Sequence, residues 1–395
     1  MFSKRIKELA EGFYPQGMEI RRRLHMHPEL SGEEKETAAL AARTLAEAGI
    51  EYREGVAGYG LTGLIRGGRP GKTALLRADM DALAVDEETD LPYRSRRPGV
   101  MHACGHDGHT AGLLMAAMIL NELKDELPGA VKLMFQPAEE TVGGALPMIE
   151  AGVLEDPKVD AAFGCHLWGN LAEGKVCVKE GPLMAAPDEF NITLHGRGGH
   201  GAMPHAAVDP VIMAAETVMQ FQTIISRRRN PLDPAVISVC MIRGGETHNV
   251  IPGRVDMTGT IRTFSRELRD LIPLEMERIL RGVALSSGGS YDFRVEKRYP
   301  PLVNHPGVTA IVRGAAEKIL GKEGVVEAAE PNMGGEDFAY LAERTPASFF
   351  LVGIAGKEGP VPHHSPHFRW DDGVLKISSA CLAQCAVDFL LSPGG

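Results

Sequence analysis

The sequence predicts an α/β protein in which a mainly parallel sheet lies between helices and is interrupted by a smaller inserted α+β domain. Three observations predict it. Short apolar runs alternate with helical patterns through the first half, a β-α-β-β-α-β order begins near Met184, and the first pattern resumes after Pro300.

In order along the chain, MFSKRIKELAEG mixes acids and bases at helical spacing and reads as a helix, not a signal peptide. RTLAEAGI closes a second helix, TALLRADMD reads as a buried strand, and TAGLLMAAMILNELKDEL reads as a helix with Thr110 as its N-cap. AVKLMFQ and AAFGCHLW are further strands. Polar clusters follow these apolar runs: RADMD, PAEE and HLWG. Ligands bind open α/β sheets at the carboxyl ends of the strands, so clusters distant in sequence converge there.

Within the insert, EFNITLH alternates like a half-buried strand, and the helix DPVIMAAETVMQFQTIISRRR has Asp209 as cap and Pro210 in its first turn. AVISVCMIRGG and VDMTGTIRTF are strands, ELRDLIPLEMERILRGVAL is a helix, and YDFRVEKRY is the last strand. Pro273 predicts a kink or a later start for that second helix. The order is the split βαβ, ferredoxin-like arrangement. The insert spans 185–299, and 1–184 with 300–395 form one discontinuous domain. The latter ends in a helix near 308–320, the strand ASFFLVGIA, the loop HHSPHF and a helix near 373–391.

With 395 residues, 44% of them hydrophobic and 24% charged, the chain has the ordinary make-up of a globular protein. Its net charge of -10 argues against nucleic acid, which requires a basic stripe. The short run Arg227, Arg228, Arg229 reads as a solvated helix end. The apolar run LLMAAMIL is far below the roughly 18 residues of a membrane span, so no membrane partner is expected. Cys104, Cys165, Cys177, Cys240, Cys381 and Cys385 are widely spread without a Cys-x-x-Cys pair, which predicts reduced thiols and a cytoplasmic location.

Chemistry concentrates in MHACGHDGH, where Cys104 and His106 stand as Cys-x-His beside Asp107 and His109. The next strand ends supply Glu139, Glu140 and His166, and HHSPHF supplies His363, His364 and His367. Sulfur, imidazole and carboxylate donors together suit a borderline divalent metal such as zinc, manganese or cobalt. Of two adjacent acids after an apolar strand, one can bind metal while its neighbour acts as general base. His25, His27, His102, His109, His195, His205, His248 and His305 read as packing, capping or surface residues.

RRRLHMHPELSGEE, LLRADMDAL, MHACGHDGHTAGLL, FQPAEE, GRGGHGAMPH, HNVIP, MGGEDF and HHSPHF together resemble the M20 family of metallopeptidases. The resemblance is to its amidohydrolase branch of hippurate hydrolases, N-acyl amino acid deacylases and auxin-conjugate hydrolases, and it runs from about residue 20 to 390. It implies two divalent ions per subunit (zinc, manganese, cobalt or nickel) on Cys104, His106, Glu140, His166 and His364. Glu139 is then the general base and Asp81 the acid that orients a ligand. His363 or His367 replaces His364 if the loop register shifts. Many members carry His-x-Asp where this chain has Asp79 and Asp81, which leaves Asp79 without a role.

The same resemblance makes the insert a lid and a dimerisation domain of a homodimer or higher homo-oligomer, with His200 reaching a partner's site. It places the carboxylate of the substrate on Asn249 and Arg262, with backbone amides near Gly334 and Gly335 as helpers, a fork of guanidinium donors fitting a carboxylate in two places. Arg262 also reads as a surface strand residue, and Asn249 as a turn former before Pro252. The implied reaction is hydrolysis of the amide bond of a small N-acyl amino acid by a metal-activated water, with Glu139 taking the proton. Two rivals are an amidase with Cys104 as nucleophile and His106 or His166 as base, and a non-catalytic metal-dependent amino acid binder. Glu139 argues against the second, since a binder needs no second acid beside a ligand.

Overall fold

The protein is described by a computed structural model over residues 2–141 and 143–393, which fall into two compact units. The first comprises the chain up to Leu183, Val303–Glu330 and the segment from Tyr340 onward. Among the described residues its sheet has eight strands, in the order Glu51–Val56, Gly60–Arg66, Pro128–Gln136, Arg69–Asp79, Ala161–Ala172, Ala347–Ala355, Val176–Val178 and Val325–Glu327. The central four are mutually parallel. Thr73 to Asp79 are all buried, the continuous burial expected of a parallel strand covered on both faces.

The register sets up the site. Asp79 is paired with Gln136 on one neighbour, and Arg77 is paired with Gly164 on the other, so Asp79 and His166 lie level two residues further on. His166 is therefore not at a strand end. Its strand continues to Ala172, beyond the end of Arg69–Asp79 and paired there with Ala355 of the other neighbour.

Two expectations about helices change. The helix expected to be capped by Thr110 is His106–Leu123, preceded by Gly105 at φ 92°, so MHACGHDGH is half loop and half first helical turn. Gly105 allows this earlier start because only a residue without Cβ adopts that backbone freely. Thr110 donates its hydroxyl to the Asp79 carbonyl at 2.7 Å instead of capping. The expectation that no segment approaches the length of a membrane span also changes: among the described residues the helix Val374–Leu391 is long and apolar enough to cross a membrane, but 78% of it is buried in the fold, against the helices Phe2–Met26, His106–Leu123 and Pro306–Leu320. The serines and Gln384 within it hide this run from a simple scan for consecutive apolar residues.

The second unit comprises Met184–Leu302 with Pro331–Ala339. Its antiparallel sheet has the order Ala235–Arg243, Arg254–Thr263, Ala186–His195, Ser290–Glu296, with the helices Pro210–Thr223 and Arg266–Ser287. Phe190, Ile192, Leu194, Met257 and Ile261 from the sheet bury against Phe221, Ile272, Met276 and Leu280 from the helices. Asp209 caps the first helix by accepting from Val211 N at 2.8 Å. The second helix does not start late: Ser265 accepts from Leu268 N at 3.3 Å, and the helix runs through Pro273. The segment Pro331–Ala339 groups here, and not with the residues that flank it, because Ala185 N donates to the carbonyls of Asn332 and Gly334.

Candidate metal centre

In the first unit, one cluster gathers Cys104, His106, Glu139, Glu140, His166 and His364, with Asp81 behind it. Cys104, His106 and His166 bring one donor atom each to within 4.8 Å of one another, and so do Cys104, Glu140 and His364, and His106, Glu139 and Glu140. Cys104 Sγ is 3.4 Å from His166 Nε2, and Glu140 Oε1 is 3.4 Å from His364 Nε2 and 3.8 Å from His106 Nε2. Of the loop histidines, His364 is the one in the cluster. His363 donates Nε2–H to the Leu167 carbonyl at 2.9 Å, and His367 faces Glu88 at 3.3 Å.

Neighbouring groups fix which nitrogen each imidazole presents. Asp81 Oδ1 accepts from His106 Nδ1 at 3.1 Å, which leaves the Nε2 lone pair facing the cluster. The Leu167 carbonyl accepts from His166 Nδ1 at 2.6 Å and leaves Nε2 toward Cys104. Asp81 Oδ2 accepts from Glu140 N at 3.0 Å and from Ser31 Oγ at 2.6 Å, so one carboxylate holds two of the candidate ligands.

Asp79 acquires a role. It accepts from His109 Nδ1 at 2.6 Å and from Arg77 Nη1 at 2.8 Å, while His109 Nε2 accepts from Leu167 N at 2.9 Å. Both nitrogens of His109 are thus used, and this buried histidine is a structural link between the helix start and two strands.

The charge balance favours a cation. Burial opposes charge on His106, but Asp79, Asp81 and Glu140 outweigh it and push the imidazole up to about 10. A proton there compensates the carboxylates as a metal cation does. Burial, reinforced by Glu140, Glu139 and Asp79, holds the Cys104 thiol well above its ordinary value. A thiolate forms at such a place when a cation draws off the proton, and a cysteine whose thiolate is so disfavoured is the reverse of an activated nucleophile. Burial together with His109 and His363 keeps His166 well below the usual imidazole range, which suits a neutral donor.

The donors fit a divalent metal on two further counts. Among the described residues, His106 Nε2 and Glu140 Oε1 are buried without a hydrogen-bond partner, Glu140 Oε1 having only the longer imidazole contacts at 3.4 and 3.8 Å, which is costly unless another group engages them. A tetrahedral ion with bonds of about 2.0–2.3 Å has its donors roughly 3.3–3.8 Å apart, and the three separations above match.

The remaining predicted residues, His200, Asn249, Arg262, Gly334 and Gly335, belong to the second unit. His200 is exposed, pairs with Val250 across a two-stranded ladder, and accepts from Ala202 N on Nδ1 at 3.0 Å. Asn249 is exposed, and its carbonyl accepts from Gly201 N at 2.8 Å. Arg262 is half-buried on Arg254–Thr263, opposite Val236 and Pro187. The Gly334 amide donates to Asn332 Oδ1 at 2.6 Å, and a Cβ at Gly335 would fall 2.7 Å from Pro187 and Tyr299 atoms.

Sequence reasoning missed the layer behind the donors. Arg21 is fully buried and donates to Asp107 at 2.9 Å and Asp372 at 2.7 Å, with Trp370 beneath its guanidinium at 4.1 Å. His25 adds a 2.9 Å contact to the same Asp107 oxygen. The RRRLHMHPELSGEE motif carried the signal, but nothing local in it names its distant partners.

Residues 75–387 match the model of peptidase family M20/M25/M40. The putative amidohydrolase YhaA of Bacillus subtilis is 40% identical over 389 residues, covering 98% of each chain. An N-acyl-L-amino acid amidohydrolase of Geobacillus stearothermophilus is 44% identical over 307 residues, 77% of this chain and 82% of its own. The crystal structure of the Bacillus subtilis YXEP protein, described as a dinuclear metal-binding peptidase of family M20, superimposes with a TM-score of 0.85 at 36% identity, covering 96% of this chain and 99% of that one.

Proposed function

The chain belongs to peptidase family M20/M25/M40 and is a metal-dependent amidohydrolase, and from that premise we propose that it hydrolyses the amide bond of N-acyl amino acids. The observation that supports the reading is the cluster of Cys104, His106, Glu139, Glu140, His166 and His364, in which both adjacent acids lie close to His106; we read Glu139, the more buried of the two, as the base and Cys104, His106, Glu140, His166 and His364 as the donors. These five would hold two divalent ions, a number supported by the two overlapping donor groups that share Cys104. Bound metal supplies Lewis-acid polarisation of the scissile carbonyl and makes water acidic enough to attack it near neutral pH.

The protein's own residues do the rest. Glu139 takes a proton from the water whose oxygen adds to the carbonyl carbon, and delivers it to the amine nitrogen as the carbon–nitrogen bond breaks. His200 donates to the oxyanion of the tetrahedral intermediate. Arg262 and Asn249, with backbone amides near Gly334 and Gly335, grip the amino acid carboxylate and so position the scissile bond. The second unit is the lid and the contact through which the chain forms a homodimer or higher homo-oligomer, and the enzyme works in the cytoplasm.

The test is a screen of N-acetyl, N-benzoyl, N-succinyl and N-indoleacetyl amino acids with protein loaded in turn with zinc, manganese, cobalt and nickel, following release of the free amino group. Hydrolysis of at least one series, lost on chelation and restored by metal, is the expected outcome. Hydrolysis that survives chelation and stops on thiol alkylation would transfer the chemistry to Cys104.

A further inference from the structure

Glu34 is wholly buried, yet its carboxylate does nothing for the helix Lys35–Glu47 that follows it. The free N–H groups of that helix, at Glu36 and Thr37, are taken by Glu29 at 3.1 and 2.8 Å. Glu34 Oε1 instead accepts from Ala138 N at 2.8 Å, across 104 residues of sequence, and from Gly32 N at 2.9 Å. Ala138 immediately precedes Glu139 and has φ 55°, a backbone conformation that a residue with a Cβ keeps only when its surroundings enforce it.

The turn at 137–140 is held at several points. Gly143 N donates to the Ala138 carbonyl at 3.0 Å, and Glu140 N donates to Asp81 at 3.0 Å. Gly144 packs so closely that a Cβ there would lie 1.8 Å from the Pro137 carbonyl oxygen. On the Pro137 side, the N–H that enters the strained residue is secured by Glu34. A buried carboxylate is expensive unless its hydrogen bonds are used; Oε2 has no hydrogen-bond partner among the described residues, while the bonds to Oε1 fix the Pro137–Ala138 peptide, one residue before the acid that moves the proton.

We infer that Glu34 is a positioning residue, whose carboxylate oxygen, by taking the Ala138 N–H, holds the turn in the conformation that aims Glu139 at the attacking water. The inference rests on Glu139 being the general base. What matters is the reach of an acceptor oxygen and not its charge. Glutamine retains that oxygen at full length, whereas aspartate retains the charge but withdraws it by about 1.5 Å, one carbon–carbon bond.

The experiment measures kcat, KM, bound metal and thermal midpoint of the metal-loaded enzyme for Glu34→Gln, Glu34→Asp, Glu139→Gln and the double variant Glu34→Asp/Glu139→Gln, on whichever N-acyl amino acid the wild type cleaves. Glu34→Gln should keep kcat within about threefold, and Glu34→Asp should lose about 10- to 100-fold in kcat with KM and metal content little changed, since a misplaced catalytic group costs rate more than binding. The double variant should be no slower than Glu139→Gln alone, because a residue acting only through the base has nothing left to act on. An active aspartate with an inactive glutamine variant, loss of metal in Glu34→Asp, or independent multiplication of the two effects overturns the positioning role. A Glu139→Gln enzyme with undiminished kcat overturns the base assignment itself, and is distinguished because it appears in that single variant.

Discussion

Asp81 and His106 meet at 3.1 Å through Oδ1 and Nδ1, and the other oxygen of Asp81 accepts the Glu140 amide. One buried carboxylate thus sets the tautomer of one donor and the backbone position of another. Both oxygens are acceptors, and asparagine has only one to offer, so its NH2 must face either the His106 Nδ1–H or the donors on the other side. Asp81→Asn should weaken metal binding by about 10- to 100-fold, the usual cost of losing such an orienting partner. Competition titration against a metallochromic chelator reads this directly, and unchanged affinity would exclude the orienting role.

The donor assignment separates residues that the sequence offers side by side. Cys104→Ser and His166→Ala should lower bound metal and activity together, and His364→Ala should do so while His367→Ala does not, because His367 faces Glu88 and not Glu140. Elemental analysis of dialysed variants makes the comparison. Full metal in both Cys104→Ser and His166→Ala would mean that the ion binds elsewhere.

Glu139 and Glu140 should fail differently. Glu139→Gln is expected to reduce kcat by about 10²- to 10⁴-fold with metal retained, as for removal of a general base, whereas Glu140→Gln should lose metal. A Glu139→Gln protein as poor in metal as Glu140→Gln would exchange their roles.

The cluster of candidate donors could be read from the sequence because parallel strands deliver chemistry at a common level. A polar residue following an apolar run is where the register puts it, and Asp79, Gln136 and His166 share that level. The inserted domain was legible because alternation and helical spacing are local signals, as is the Asp209 cap. The start of the helix at His106 was not, since it depends on Gly105 adopting φ 92°, whereas Thr110 has the chemistry of a cap without the position. Arg21, Glu34 and the Asp79–His109 pair escaped for one reason. Each has its meaning in partners tens to hundreds of residues away, and no short window contains both halves.

Arg21 supplies a stability prediction. It lies between Asp107 and Asp372 with no exposure, so removing it leaves the two buried carboxylates with His25 and Arg22, respectively, as their remaining basic partners. Breaking a buried pair from one side costs about 3–5 kcal/mol, and Arg21→Met should lower the urea midpoint of the protein accordingly. Arg22→Met is the control: Arg22 is 39% exposed, pairs with Asp372 and lies over the Tyr93 ring, so its loss should cost about 1 kcal/mol or less. Equal midpoints for the two variants would show that the buried network carries no special share of the stability.

The assembly proposal rests on His200, an exposed residue of the second unit whose Nδ1 is engaged by Ala202, which leaves Nε2 as the nitrogen able to serve a substrate. If that unit pairs about a two-fold axis, each site is completed by the partner's His200. Glu139→Gln and His200→Ala would each be inactive alone, because every site in either homodimer lacks one of the two groups. In a hybrid, the site holding the intact Glu139 belongs to the His200→Ala subunit and receives the intact His200 of the other, while the second site lacks both. Equal mixing with full exchange makes about half the dimers hybrid, each with one working site of two, so activity should return to about a quarter of wild type. Subunit exchange is followed independently by native mass spectrometry of two differently tagged forms. Hybrids that form without recovering activity would assign His200 to its own subunit's site or to none.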